Sequence, residues 1–65
     1  MKWEKYSEKK PKEGWYLITY ETVDGGRYVC ESFYNSRCKK FIDRDNFTHQ
    51  NVIAWAEMPE AYKEN

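Results

Sequence analysis

Two cysteines and one histidine are the side chains of this 65-residue chain that are best suited to bind a metal ion or to attack a substrate. Cys30, Cys38 and His49 would supply sulfur and nitrogen ligands of the kind that zinc prefers. Their spacing matches no zinc-binding pattern, because the chain has neither a Cys-x-x-Cys pair nor a second histidine. We therefore predict no metal site and no cofactor, and we expect Cys30 to be a small thiol within a strand.

Covalent catalysis needs more than a Cys–His pair. It also needs a cleft and donors for the developing oxyanion, and a chain of this length has little loop from which to build them. The acidic run 43–46 lacks the glycine and the distal glutamate of a calcium loop. Gly25-Gly26 lies between two predicted strands, whereas a phosphate-binding loop precedes a helix. The sequence predicts no catalytic residues and a protein that is not an enzyme.

Aromatic residues are the second distinctive group, with 12 in 65 positions. Each can bury roughly 150–250 Å², which would strengthen the core of a small domain. Aromatic and arginine side chains are also enriched where proteins bind one another. The predicted binding residues are Tyr16, Tyr20, Tyr28, Tyr34, Arg27 and Trp55. The alternative is that the tyrosine rings form the core of the sheet.

The balanced charge of the chain argues against a nucleic-acid partner that is bound through neutralisation of its phosphates. Eleven basic residues balance eleven acidic ones and the isoelectric point is about 6.6, whereas nucleic-acid binders normally carry a basic excess. Nucleic acid as a partner is therefore not favoured, although stacked tyrosines could hold a nucleotide, another small ligand or a single strand. No apolar run has the length of a membrane span or a signal-peptide core, so we expect reduced thiols, a cytoplasmic protein and no membrane partner.

The order of the elements predicts one small domain over 1–65 that is mainly β. Residues 1–13 form a charged arm, 14–34 a hairpin with its turn at Asp24-Gly25-Gly26, 39–43 a short strand, 52–58 a final strand and 59–65 a tail. We expect an antiparallel sheet or meander of three to four strands with the arm packed on it. A small α+β fold is the alternative, since Trp3 and Tyr6 could share one face of a helical turn.

The length of the hairpin turn decides which side chains share a face. A two-residue turn would place Trp15 and Leu17 with the even-numbered residues of the returning strand, and a three-residue turn would exchange the two sets. Either assignment leaves at least two large apolar groups on both faces, which is unusual for a solvated antiparallel sheet. The second face is then covered by the arm and the loop 44–51, or by another molecule. A homodimer would serve as well.

Both ends of the chain resemble a known family. The segments Trp3, 11–19 and 52–62 are similar to small phage and prophage proteins that share domain of unknown function 551, although Ala56-Glu57-Met58 and Ala61 depart from that family's pattern. The resemblance implies an accessory gene of a phage expressed in the bacterial cytoplasm, and it carries over no site residue. It also implies a non-enzymatic protein that binds a host protein stoichiometrically, such as an anti-defence inhibitor of the anti-CRISPR type. The alternatives are the tyrosine-stacking binder described above and a structural homo-oligomer.

Overall fold

Five antiparallel strands form a single sheet in the order β1-β5-β2-β3-β4. The computed structural model describes residues 2–45 and 48–59, so predictions for 46–47 and for the tail 60–65 lie outside the described residues. Within the described ranges there is no helix, which confirms the mainly β prediction and excludes the α+β alternative there. The strands are β1 Glu4–Lys5, β2 Gly14–Glu21, β3 Arg27–Asn35, β4 Lys40–Ile42 and β5 Val52–Glu57.

The predicted hairpin is present as β2 and β3. Its last paired residues are Glu21 and Arg27, so the connecting loop is five residues long. Two backbone hydrogen bonds of Thr22 close the loop. Its N–H donates to the Gly26 carbonyl at 2.8 Å, and its carbonyl accepts from the Gly25 N–H at 3.0 Å. Gly25 adopts a φ of 88°, a left-handed conformation that glycine reaches without steric cost.

The odd number of residues in this loop decides which side chains share a face of the sheet. Even-numbered residues of β2 pair with even-numbered residues of β3, as a three-residue turn would also require. We call the side with Ile18 and Phe41 the inner face and the opposite side the outer face. The inner face carries Tyr16, Ile18, Tyr20, Tyr28, Cys30, Ser32, Tyr34, Phe41 and Trp55. The outer face carries Trp15, Leu17, Thr19, Val29, Phe33, Ile42, Ala54 and Ala56.

Two features of the topology differ from the simplest meander. Only β2, β3 and β4 follow one another across the sheet, and β5 returns to the free side of β2. The arm then contributes β1 as a fifth strand, paired with β5 through Glu4 opposite Trp55. A two-residue strand has no periodicity of its own, and for this reason the sequence predicts one strand too few. A bulge opposite the Thr19–Tyr20 step brings Val52 into the inner core.

The inner face is the core, and the arm covers it. Ile18, Tyr34, Phe41 and Trp55 are buried together, and the Tyr6 ring lies 5.4 Å from that of Phe41. The arm is fixed by hydrogen bonds to its backbone. The Trp55 indole donates to the Lys9 carbonyl and the Tyr16 hydroxyl to the Lys12 carbonyl, each at 2.8 Å. The arm is therefore packed on the sheet as predicted.

Candidate functional site

Half of the predicted binding residues belong to the core. Tyr34 is only 2% exposed and Trp55 only 6%, so neither side chain has surface to offer a partner, and both are reassigned from the binding set to the core. Tyr16 is half-buried: its ring lies 5.1 Å from that of Trp55 and its hydroxyl is bound by the arm. Burial, and next the charge of Glu57, raise the pKa of the Tyr16 phenol. These three rings lie together because alternation places them all on the inner face.

The other predicted residues lie at the loop end of the hairpin, with Tyr20 and Tyr28 on the inner face and Arg27 on the outer face. The rings of Tyr20 and Tyr28 are 5.9 Å apart, and of the two Tyr28 is the exposed one. Arg27 forms an ion pair with Glu21 across the hairpin at 3.2 Å, with both side chains largely in solvent. Exposed pairs of this kind contribute little to stability. This region therefore presents one exposed ring, rather than the four-tyrosine surface that the sequence suggested.

A larger aromatic surface lies on the outer face, where sequence reasoning did not place the site. Trp15 is 43% exposed and its ring makes an edge contact with Phe33, 5.5 Å away. Phe33 pairs in turn with Ile42 on β4. Trp3 is 39% exposed, and alternation along the extended arm places it on the same side. The sequence signal that could have located this surface is the alternation along β2, which places Trp15 and Leu17 on the face opposite Tyr16 and Ile18.

One arginine gives this surface a polar border. The guanidinium of Arg44 lies 5.3 Å from the centre of the Trp15 ring, within the range of a cation–π interaction. The same group donates to the Glu31 carboxylate at 2.7 Å. The outer face is thus mixed in character, because Glu31 lies opposite Leu17 on the two interior strands and Glu21 pairs with Arg27 on the same side. Aromatic and arginine side chains beside such charged pairs occur in many protein interfaces.

Several described residues outside the central strands cover the inner face. The arm lies across Trp55 and Tyr16, and His49 lies against Tyr20 with ring centres 5.3 Å apart. The covers predicted for the second apolar face are only partly present: the arm places Trp3 on this side and the loop places Arg44 over Trp15. Ala56 is only 1% exposed there, whereas Trp15 and Val29 remain 43% and 58% exposed. The outer face is therefore only partly covered by the described residues.

The structure also brings together two residues that the sequence treated as unrelated. Cys30 Sγ lies 3.8 Å from His49 Nε2, and the His49 N–H is fixed by the Phe41 carbonyl at 2.8 Å. Burial is the main cause that raises the pKa of the Cys30 thiol, followed by the negative charges of Asp43 and Glu31. A raised pKa keeps the sulfur protonated near neutral pH, whereas a nucleophilic cysteine needs a stabilised thiolate. Both cysteines are free thiols.

Fold and surface together define a small all-β domain with one covered and one partly covered face. No helix within the described ranges could cross a membrane. Comparisons with protein-family models, with curated proteins and with solved structures find no match to this chain. The likeness to the phage family thus remains a prediction from the sequence.

Proposed function

We propose that this chain is a non-enzymatic binding protein that docks on a partner protein through its outer face. The observation that carries the proposal is Trp15, a large side chain held 43% exposed against Phe33 on a face that the described residues cover only in part. Tryptophan and arginine dominate the binding energy of many interfaces, and here Arg44 lies over the same ring. With the resemblance to phage accessory proteins, the partner is a host protein of the bacterial cytoplasm, and inhibition of a host defence system is the expected consequence.

The face is a better docking surface than either edge of the sheet. Strand addition needs a run of unpaired backbone groups. At one edge β1 is only two residues long, and at the other β4 has three residues, one of which is bridged by Thr48. The side chains of the central strands β2 and β3 offer a wider contact. We therefore assign binding to the face and not to backbone pairing.

The tyrosine-stacking alternative has less support in the geometry. Of the four tyrosines that it requires, only Tyr28 is exposed, and its closest cation, Arg27, is paired with Glu21. Base stacking contributes roughly 1–3 kcal/mol for each ring, so one ring is a weak platform.

Substitutions at two of the exposed hydrophobic positions of the hairpin test the proposal. Trp15→Ser removes the centre of the outer face, and Val23→Ser changes the fully exposed loop residue. The tagged wild-type and Val23→Ser proteins should retain the same host protein from a bacterial lysate, and Trp15→Ser should lose it while keeping a cooperative thermal transition. Retention of that protein by a folded Trp15→Ser variant would contradict the proposal.

Light scattering on the same three proteins separates a host partner from a second copy. A wild-type monomer is the expected result. A stable dimer that Trp15→Ser converts to a monomer would instead assign the outer face to self-association, and the chain would be a structural homo-oligomer.

A further inference from the structure

We propose that Cys30 and His49 form a binding site for a zinc-like divalent cation at the edge of the inner face. The sequence argued against zinc because the cysteines and the histidine have no motif spacing, but spacing does not describe a site assembled across a sheet. Cys30 lies in the middle of β3 and His49 in the segment leading to β5, and their ligand atoms are 3.8 Å apart. This site lies on the opposite side of the sheet from the docking face and does not depend on it.

The distance between the two ligand atoms fits one bound ion. Zinc–sulfur and zinc–nitrogen bonds of about 2.3 Å and 2.0–2.1 Å place sulfur and nitrogen roughly 3.8 Å apart when the angle at the metal is about 120°. The observed separation of 3.8 Å therefore allows Sγ and Nε2 to bind the same ion without moving the backbone. In the metal-free state the same pair is a thiol–imidazole contact, which the ion replaces.

Both ligands are held in place by groups that are not themselves ligands. Cys30 is fixed by the β2–β3 pairing opposite Ile18. The His49 backbone donates to the Phe41 carbonyl at 2.8 Å and its ring packs on Tyr20. Ordered support of this kind reduces the entropy lost when a metal binds and increases affinity. Both side chains are only partly buried, so an ion from solvent can reach them.

Charged side chains of both signs surround the two ligands. Asp43 and Glu31 are close enough for their negative charges to act on Cys30, and Lys40 lines the same pocket as His49. Binding converts the thiol and M²⁺ into a metal thiolate and one released H⁺. Tyr20 packs on the imidazole.

The site has room for solvent ligands. No group of three or more Cys, His, Asp or Glu side chains suited to a metal occurs among residues 2–45 and 48–59. Two protein ligands with the rest supplied by water make a weaker site than the three-ligand open sites and the closed four-ligand sites of zinc proteins. The ion is accordingly an addition to a domain that folds around its aromatic core, and not a requirement for folding.

Cadmium titration of the reduced protein tests the site, because a cadmium thiolate absorbs in the ultraviolet. Wild type and Cys38→Ser should give the same titration, and zinc should displace the cadmium. Cys30→Ser should abolish the charge-transfer band, and His49→Gln should weaken binding at least about tenfold.

Three results would overturn the proposal: a band that survives Cys30→Ser, a band that disappears with Cys38→Ser, or unchanged affinity in His49→Gln. Nuclear magnetic resonance of the wild-type protein with added zinc tests the site without any variant, so the result does not depend on whether a variant folds. The first resonances to shift should be those of residues 30 and 49, and shifts confined to other residues would also reject the site. Trp15→Ser should bind cadmium as wild type does, which separates this test from that of the docking face.

Discussion

The two faces of this sheet both carry large apolar residues, but only one of them is well covered. The inner face has Ile18 and Phe41 under an arm that hydrogen-bonds to their aromatic neighbours, whereas the outer face leaves Trp15 and Val29 in contact with solvent. Composition contributes to this difference, because most of the aromatic rings lie on the inner face and the outer face also carries Glu31. The backbone of the arm contributes the rest, because its Lys9 and Lys12 carbonyls accept hydrogen bonds from the polar ends of inner-face rings. In this domain the cover acts together with hydrophobicity to separate the core from the exposed face.

The largest expected contrast is between one phenylalanine on each face of neighbouring strands. Phe41→Ala should lower the free energy of unfolding by about 3–5 kcal/mol, because it opens a cavity among three aromatic rings in the core. Phe33→Ala should cost less, about 1–3 kcal/mol, because this half-buried ring loses part of its apolar burial as well as its contact with Trp15. Urea denaturation of both variants measures the difference. Equal losses would mean that the outer face is covered in solution.

Two serines give a smaller contrast of the same kind. The Ser32 hydroxyl is fully buried and donates to the Ile42 carbonyl at 2.8 Å, whereas Ser36 is exposed and its hydroxyl donates to the Glu13 carboxylate. Ser32→Ala should cost about 1–3 kcal/mol because it leaves a buried acceptor unpaired, and Ser36→Ala should stay within about 0.5 kcal/mol of wild type. A neutral Ser32→Ala would show that water reaches this part of the core.

The smallest effect is the pH dependence of the Cys30 thiol. Its pKa in the folded chain is raised above the ordinary 9.0 by burial and then by Asp43 and Glu31. The unfolded chain therefore loses this proton first, so the contribution of the thiol to stability is fully present below pH 9.0 and is lost as the pH rises through the folded pKa. In metal-free buffer, the difference in unfolding free energy between wild type and Cys30→Ala should fall over that range. The same fall should persist in a Cys38→Ala background, and a flat difference would contradict the burial of the thiol.

Much of the fold is predictable from local signals. The hairpin over 14–34 follows from a β-branched and aromatic run closed by Asp24-Gly25-Gly26, and β5 from the run that begins at Val52. Both are found with bounds that differ by a residue or so. β1 is not predictable, because Glu4–Lys5 are ordinary charged residues that become a strand only when β5 pairs with them.

The functional residues are harder to predict from the sequence than the fold, because their exposure and their neighbours depend on the assembled sheet. Tyr34 and Trp55 were placed in the binding set because of their residue types, and type does not reveal whether a ring has a cover. Likewise, Cys30 and His49 are 19 positions apart, and they meet through the strand order and the Asn51 turn, whose φ of 57° brings the chain into β5. Such proximity exists only after the sheet has assembled.

The five-residue loop at the tip of the hairpin limits how this sequence can evolve. Removing one residue between Glu21 and Arg27 would bring odd positions of β3 opposite even positions of β2, so that Phe33 would turn inward and Tyr34 outward. Adding or removing two residues would preserve the sidedness of both strands. Among relatives of this domain, length changes at the tip should therefore be tolerated in even steps, and a change of one should coincide with an exchange of core and surface residues along one whole strand.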